Sequence, residues 1–291
     1  METGSAMRDS RATMMAFRGA KFPTRLPRMD IANQVVLITG ASRGIGAACA
    51  AAFRDRGAQL CLTARDQAAL ASNSTPADLA VSGDITIADF RAHLVDRALQ
   101  RFGRIDILIN NAGAGLYWPP STAPLEEVRH LFELNFFAPL ALSQLVLPLM
   151  RKQHSGCIVN ISSMGGEIVL PWIPLYCASK FALSALSTAL RSELSGSGIQ
   201  AMTVCPGYVA TDFKANAAGP QPDARMMRSN RFAITPQQCA AAILRGVERN
   251  ARVVVAPRVG WLLIAAQRMF PRLIESRLTA FMKSVQSEAA A

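Results

Sequence analysis

The chain has 291 residues, enough for one large domain with its own core, and its 51% hydrophobic and 18% charged content is that of a globular protein. Its net charge of +11 gathers at the ends: residues 1–30 carry six basic and three acidic side chains and residues 252–291 six and two, which leaves +4 for the 221 residues between. No unbroken apolar run reaches the roughly 18 residues that span a bilayer, no secretory signal is evident, and the charge comes without a helix-turn-helix or an aromatic-and-basic pattern, which argues against nucleic acid.

Residues 1–30, Met-rich and basic, are expected to form a disordered arm. A targeting leader, or sequence upstream of a start near Met29, are the other readings. Order begins at Gln34. Val35 to Thr39 is a short β-branched run of the kind that forms a buried parallel strand. Gly40-Ala41-Ser42-Arg43-Gly44-Ile45-Gly46 follows, then a helical run to about Arg56. Strand, glycine loop and helix together suit a pyrophosphate: the glycines let the backbone approach it, and the helix N-terminus offers free N–H groups. A second strand, Ala58 to Thr63, ends where an NAD site would want a carboxylate for the ribose hydroxyls. Arg65 stands there instead, with Arg43 already in the loop, and two guanidiniums suit a 2′-phosphate; this favours NADP(H) over NAD(H).

Residues 66–78 leave room only for a brief helix. Leu79 to Gly83 is the third strand, ending at Asp84, and a helix from about Ile87 to Phe102 leads to the fourth, Ile105 to Ile109. Asn110-Asn111-Ala112-Gly113 then sits at a strand C-terminus, where open α/β sheets bind ligands. Residues 124–152 read as one helical region with kinks or breaks expected at Pro139 and Pro148, and with Asn135 inside it. Cys157 to Ile161 is the fifth strand, followed by Ser162-Ser163 and an apolar loop. Tyr176 to Leu194 reads as helix, and its i,i+4 spacing stacks Tyr176 and Lys180 on one face. A nearby ammonium is expected to lower the phenol's pKa and make it an acid or base near neutral pH. Gln200 to Cys205, the sixth strand, runs into Pro206-Gly207-Tyr208-Val209-Ala210-Thr211. A loop over 212–234 holds Lys214, Arg225, Arg228 and Arg231. A helix from Pro236 to about Arg249 has Thr235 as N-cap, and Arg252 to Ala256 is a seventh strand. Repeated strand–helix units make a doubly wound α/β sheet in one domain over residues 31–257.

These motifs, in this order, resemble the short-chain dehydrogenase/reductase family: Thr-Gly-Ala-Ser-Arg-Gly-Ile-Gly (39–46), Gly-Asp-Ile-Thr (83–86), Asn-Asn-Ala-Gly (110–113), Asn135, Ser163, Tyr176-x-x-x-Lys180 and Pro-Gly-Tyr-Val-Ala-Thr (206–211). The resemblance covers about Gln34 to Pro257. It implies a parallel seven-stranded Rossmann-type sheet, order 3-2-1-4-5-6-7, with helices on both faces. It implies that Tyr176 is the acid/base, that Ser163 bonds the substrate oxygen, and that Lys180 holds the nicotinamide ribose and lowers the Tyr176 pKa. Asn135 would complete a proton relay through a water. Gly40, Ser42, Arg43, Gly44, Ile45 and Gly46 would cradle the pyrophosphate. Asp84 would lie beside the adenine, and Asn111, Ala112 and Gly113 on the adenosine side. Pro206, Gly207, Val209 and Thr211 would border the nicotinamide. Ala138, where a glycine is frequent, and the short 66–78 segment depart from the pattern. The competing readings are an epimerase or dehydratase and a non-catalytic dinucleotide sensor or scaffold.

The six cysteines (Cys49, Cys61, Cys157, Cys177, Cys205, Cys239) lack any Cys-x-x-Cys and fall mostly in apolar runs, as buried thiols of a cytoplasmic protein do. With His93, His130 and His154 scattered, no metal centre is expected. The substrate pocket is expected to be lined by Leu116, Tyr117, Trp118, residues 165–173, Tyr208 and the 212–234 loop. That lining favours a hydrophobic ketone, aldehyde or alcohol and leaves room for an acyl carrier. A homodimer or homotetramer is expected. Residues 258–291 form a separate helical extension. Val259 to Phe270 is apolar almost all round, and after Pro271 a helix sets Leu273, Ile274, Leu278, Phe281 and Met282 against Arg272, Glu275, Ser276 and Lys283. Docking to a membrane surface, a lid, a subunit contact and packing against the body are the readings of this extension.

Overall fold

The computed structural model describes residues 28–220 and 232–289, with side chains as far as 280. Most of the N-terminal arm, and Arg225, Arg228 and Arg231, lie outside the described residues, as do the side chains of Phe281, Met282 and Lys283. Seven parallel strands form one sheet: β1 (Val35–Thr39), β2 (Gln59–Ala64), β3 (Leu79–Ser82), β4 (Ile107–Asn110), β5 (Gly156–Ile161), β6 (Ile199–Pro206) and β7 (Val253–Ala256). Their order is β3-β2-β1-β4-β5-β6-β7, as the resemblance implies.

The strands read as continuous apolar runs because both faces are covered. Successive side chains alternate between two cores. Val36, Ile38, Ile107, Ile109, Val159 and Val204 meet α1 (Gly44–Arg54), α2 (Gln67–Ser72) and, past β6, the helix Pro236–Glu248. Leu37, Leu108, Ile158 and Ala201 point the other way, onto α3 (Ala88–Phe102), α5 (Ala138–Gln153) and α6 (Pro174–Glu193). The helix Pro236–Glu248, α7, opens on a full capping box: Thr235 Oγ1 accepts from the Gln238 N–H at 3.1 Å and Gln238 Oε1 from the Thr235 N–H at 2.9 Å.

One expectation needs correction. The helix does not break at Pro139 or Pro148. Pro139 stands in the first turn of α5, where its missing N–H is harmless, and α5 runs unbroken past Pro148. The irregularity lies earlier, in a π-helical turn, Glu133–Phe137, between α4 (Leu125–Phe132) and α5, and it contains Asn135. Within Leu125–Gln153 an 18-residue window has a mean hydropathy of 1.4, long and apolar enough to cross a membrane. Here the segment packs on the sheet: Leu131, Ala138, Leu142, Val146, Leu147 and Met150 are buried.

The sequence of strands reverses between β1 and β4, so the connections that leave their C-terminal ends part to opposite faces of the sheet and leave a crevice. The opposite edge of the same strands is tied by Asp106. Its buried carboxylate accepts the Val35 N–H at 2.9 Å and pairs with Arg104 at 2.6 Å. Asp106→Ala leaves that N–H and the guanidinium without their acceptor, and is expected to cost about 2–4 kcal/mol. The denaturant midpoint should fall while turnover per folded molecule stays unchanged, since the site is at the far end of the strands; an unchanged midpoint would count against this role.

Candidate active site

The crevice is walled by the glycine loop. Gly40 has φ +66°, and a Cβ there would lie 2.9 Å from Ala112 Cα. A Cβ on Gly46 would fall 2.2 Å from the Gly40 carbonyl oxygen and 2.5 Å from Asn111 Nδ2. Both positions therefore exclude any side chain. Asn111 fastens this wall: its Nδ2 donates to the Thr39 and Gly40 carbonyls at 2.9 and 3.1 Å. Thr39 Oγ1 accepts the Asn111 and Ala112 N–H groups, each at 3.0 Å. Arg43 precedes α1 in extended conformation and caps it with no side-chain hydrogen bond, so the N–H groups of Gly44, Ile45 and Gly46 open a helix without a side-chain cap. Asn73, at the end of α2, donates to the Ser42 carbonyl at 2.7 Å, so the short 66–78 segment serves as a brace for the loop.

Around this wall stand the other expected contacts. Arg43 and Arg65 are exposed at its rim. Asp84 is half-buried. Burial alone would raise its pKa, but the Thr86 N–H and hydroxyl bonds, at 2.9 and 2.8 Å, and the nearby Arg65 and His130 hold it below the ordinary carboxylate value. Across the crevice a Cβ on Gly44 would come within 3.2 Å of Thr211 Cγ2, so the loop Pro206–Thr211 faces the glycine loop. Gly207 donates to the Ala256 carbonyl at 2.7 Å, and Val209 bridges to Ile234. A dinucleotide fits this cradle: an uncapped helix N-terminus, a glycine surface closed to side chains, and cations at the rim.

The reactive groups lie where β5 ends and α6 begins. Ser163 and Tyr176 meet at Gly165: a Cβ there would lie 3.4 Å from Ser163 Oγ and 3.5 Å from Tyr176 Cε1, and the Gly165 N–H donates to Ser163 Oγ at 2.9 Å. Lys180 is 4% exposed, and its Nζ donates to the Ile161 carbonyl at 2.9 Å and sits 5.8 Å from the Tyr176 ring centroid. Burial pulls the Lys180 ammonium down to about 8. Burial also pushes the Tyr176 phenol well above its ordinary value; the neighbouring Ser163 hydroxyl opposes this, and Cys177, Cys205 and Tyr117 add to it. The sequence-based expectation of a lowered phenol is thus reversed. One turn of helix puts the ammonium near the ring, but desolvation is the largest influence on both groups.

Asn135 is fully buried. It exchanges two 2.9 Å hydrogen bonds with the Ala114 backbone and donates to Ser179 Oγ at 3.0 Å; Ser179 in turn donates to the Tyr176 carbonyl at 2.7 Å. A Cβ on Gly113 would lie 3.0 Å from Asn135 Oδ1 and 3.3 Å from Lys180 Nζ, so both groups border one small space. Ser179, Thr39 and Asn73 were not singled out in the sequence. Ser179 could have been, as a small polar residue one turn from Tyr176 on the buried face of α6. Over Tyr176 lies an apolar cluster of Tyr117, Ile173, Cys177 and Ala217, with Leu170, Trp172 and Phe213 packed against it. The Phe213 ring stands 5.4 Å from the Tyr176 ring. Of the expected lining, Leu116 is tied to Ala218 by a backbone bridge, and Lys214 lies over the Tyr208 ring at 4.1 Å.

The Lys180 shift has a measurable consequence. Its pKa is about 8 folded against 10.5 unfolded, so between those values the unfolded chain binds more protons and stability rises with pH. Below pH 8 the full penalty, roughly 3 kcal/mol, is present. Lys180→Met is expected to be inactive yet to unfold at a higher denaturant concentration than wild type at neutral pH. That advantage should shrink as pH approaches 10.5; a difference that stays flat with pH would refute it.

Comparison with known proteins agrees with this geometry. The family model described as short chain dehydrogenase matches residues 34–221. The zebrafish (Danio rerio) protein named dehydrogenase/reductase SDR family member 7B is 33% identical over 247 residues, covering 80% of each chain. A short chain dehydrogenase from Burkholderia cenocepacia, solved in complex with NADP, is 27% identical with TM-score 0.72, over 86% of this chain and 99% of that one. A Burkholderia phymatum short chain dehydrogenase/reductase solved with NAD, at 22% identity and TM-score 0.77 over 84% and 96%, shares the fold. The chain belongs to the short-chain dehydrogenase/reductase family of oxidoreductases.

Proposed function

We propose that the chain is an NADP(H)-dependent oxidoreductase that interconverts a ketone or aldehyde with the corresponding alcohol on a hydrophobic substrate. The observation that carries the reading is the convergence of Ser163, Tyr176 and Lys180 beside the glycine cradle, under an apolar cover. Gly40, Ser42, Arg43, Gly44, Ile45 and Gly46 would hold the pyrophosphate, and Arg43 with Arg65 the 2′-phosphate. Asp84, Asn111, Ala112 and Gly113 would flank the adenosine half. Pro206, Gly207, Val209, Thr211 and Lys180 would border the nicotinamide half. When bound, the dinucleotide supplies or accepts the hydride.

The chain's own groups manage the oxygen. Ser163 and Tyr176 donate hydrogen bonds to the carbonyl oxygen and stabilise the charge that grows on it. The Tyr176 phenol, held protonated at neutral pH by its burial, has its proton in place for that oxygen, which favours the reductive direction. Lys180, charged below about pH 8, steadies the phenolate that remains. Asn135 and Lys180 border the same space at Gly113, which supports a proton path along them from solvent. The apolar cluster of Tyr117, Ile173, Leu170, Trp172 and Phe213 suits a lipophilic substrate. All six cysteines are unpaired and buried, which suits a reducing compartment such as the cytoplasm. The reading extends to a homodimer or homotetramer in peripheral contact with a membrane.

Two measurements test it. Against a panel of hydrophobic ketones with NADPH, Tyr176→Phe is expected to lose about 10²–10⁴-fold in kcat while keeping its melting temperature; a wild type as inactive as the variant across the panel would sink the enzyme reading. Arg65→Ala is expected to raise the KM for NADPH by roughly 10- to 100-fold, the loss of one charge-assisted hydrogen bond, and to leave the KM for NADH near wild type. Equal effects on both would remove the 2′-phosphate role.

A further inference from the structure

Half of the exposed large hydrophobic side chains among the described residues fall within fifteen positions: Val259, Trp261, Leu262, Leu263, Met269, Phe270 and Leu273. They lie on α8 (Gly260–Met269), on its flanking residues Val259 and Phe270, and at the start of α9 (Pro271–Ala289). Leu262 is 71% and Met269 68% exposed. Such a cluster is larger than isolated surface leucines require. One side of α8 is nevertheless firmly seated. Ile264 is buried with Ile168, Cys205 and Val255, and Arg268 pairs with Glu167 at 2.6 Å. The helix therefore rests on the loop between Ser163 and Tyr176, and its apolar side faces away.

The charges around this face select its occupant. From Arg258 to Ala280 the chain has four arginines and a single carboxylate, Glu275. With Arg268 engaged by Glu167, Arg258, Arg272 and Arg277 are exposed around the apolar side chains. In a two-fold contact between copies the same patch meets itself, and these arginines would approach arginines. An anionic bilayer surface instead takes the apolar side chains among its acyl chains and the guanidiniums among its phosphates, with Trp261 suited to the boundary between them. We propose that α8 and the start of α9 are an in-plane anchor that docks the protein on an anionic phospholipid membrane. The loop that carries Met164 to Ile173 then lies on the membrane side of the molecule.

Flotation of the full chain with vesicles tests this without reference to turnover. Wild type is expected to rise with vesicles of phosphatidylserine and phosphatidylcholine, and less with phosphatidylcholine alone. The double variant Leu262→Asp, Phe270→Asp should stay at the bottom with both. The triple variant Arg258→Ser, Arg272→Ser, Arg277→Ser should weaken binding to the anionic vesicles by roughly fivefold per arginine and leave binding to neutral ones unchanged. Because all five side chains are exposed, melting temperatures should match wild type and confirm that both variants are folded. Wild type that floats with neither vesicle, or an aspartate variant that floats as well as wild type, overturns the proposal. So does a non-floating wild type that light scattering shows as an oligomer and the aspartate variant as a monomer, which would assign the face to a second copy.

Discussion

The site depends on one unfavourable act, the removal of an ammonium group from water. Lys180 is buried with the Ile161 carbonyl as its hydrogen-bond acceptor. A group in that position can stay only if the surrounding fold is rigid enough to hold it there. The neighbouring elements supply that rigidity. Ser162 donates to the Lys180 carbonyl at 2.9 Å and bonds Ser184 at 2.8 Å, which locks the first turns of α6 to the end of β5. Farther along, Asn160 links Asn110 of β4 to Ser187 of α6 at 2.8 and 2.7 Å. Two strands and one helix are thus joined by side-chain bonds inside an otherwise apolar interior, where such bonds are strong.

The tyrosine and the lysine respond oppositely to the same burial. Both are driven toward their neutral forms, so the phenol keeps its proton to high pH and the ammonium loses its own sooner than a surface lysine does. A proton donor and a group that can alternate between charge states then sit within one helical turn. Phe213 and the cluster above Tyr176 sustain that condition by keeping the ring dry, so the apolar cover also shapes the chemistry beneath it.

Much of this was legible from residues alone. The strands announced themselves because a sheet covered on both faces needs unbroken runs such as Val35–Thr39 and Ile107–Asn110. The glycine loop was legible because Gly40 and Gly46 stand where no side chain has room. Two things were not. Proline is a strong local signal, so the break in the long helix was assigned to Pro139 and Pro148. The irregularity lies instead at Glu133–Phe137, around Asn135, which bonds to Ala114 and Ser179, residues 21 and 44 positions distant. The direction of the Tyr176 shift was also illegible: spacing reveals which charges are near, whereas desolvation depends also on Tyr117, Phe213 and Ala217, which arrive from elsewhere in the chain.

The π turn at Glu133–Phe137 has a geometrical effect beyond seating one asparagine. An α-helix advances about 100° per residue, and a wider turn adds a residue without adding a full turn. The two halves of the rod are therefore out of phase. α4 turns its contact stripe to α6, while α5 turns its own to α3 and the sheet. A single uninterrupted helix would have to choose one neighbour along its whole length. The offset lets one segment of chain brace the helix that bears the reactive side chains at one end and complete the hydrophobic core at the other.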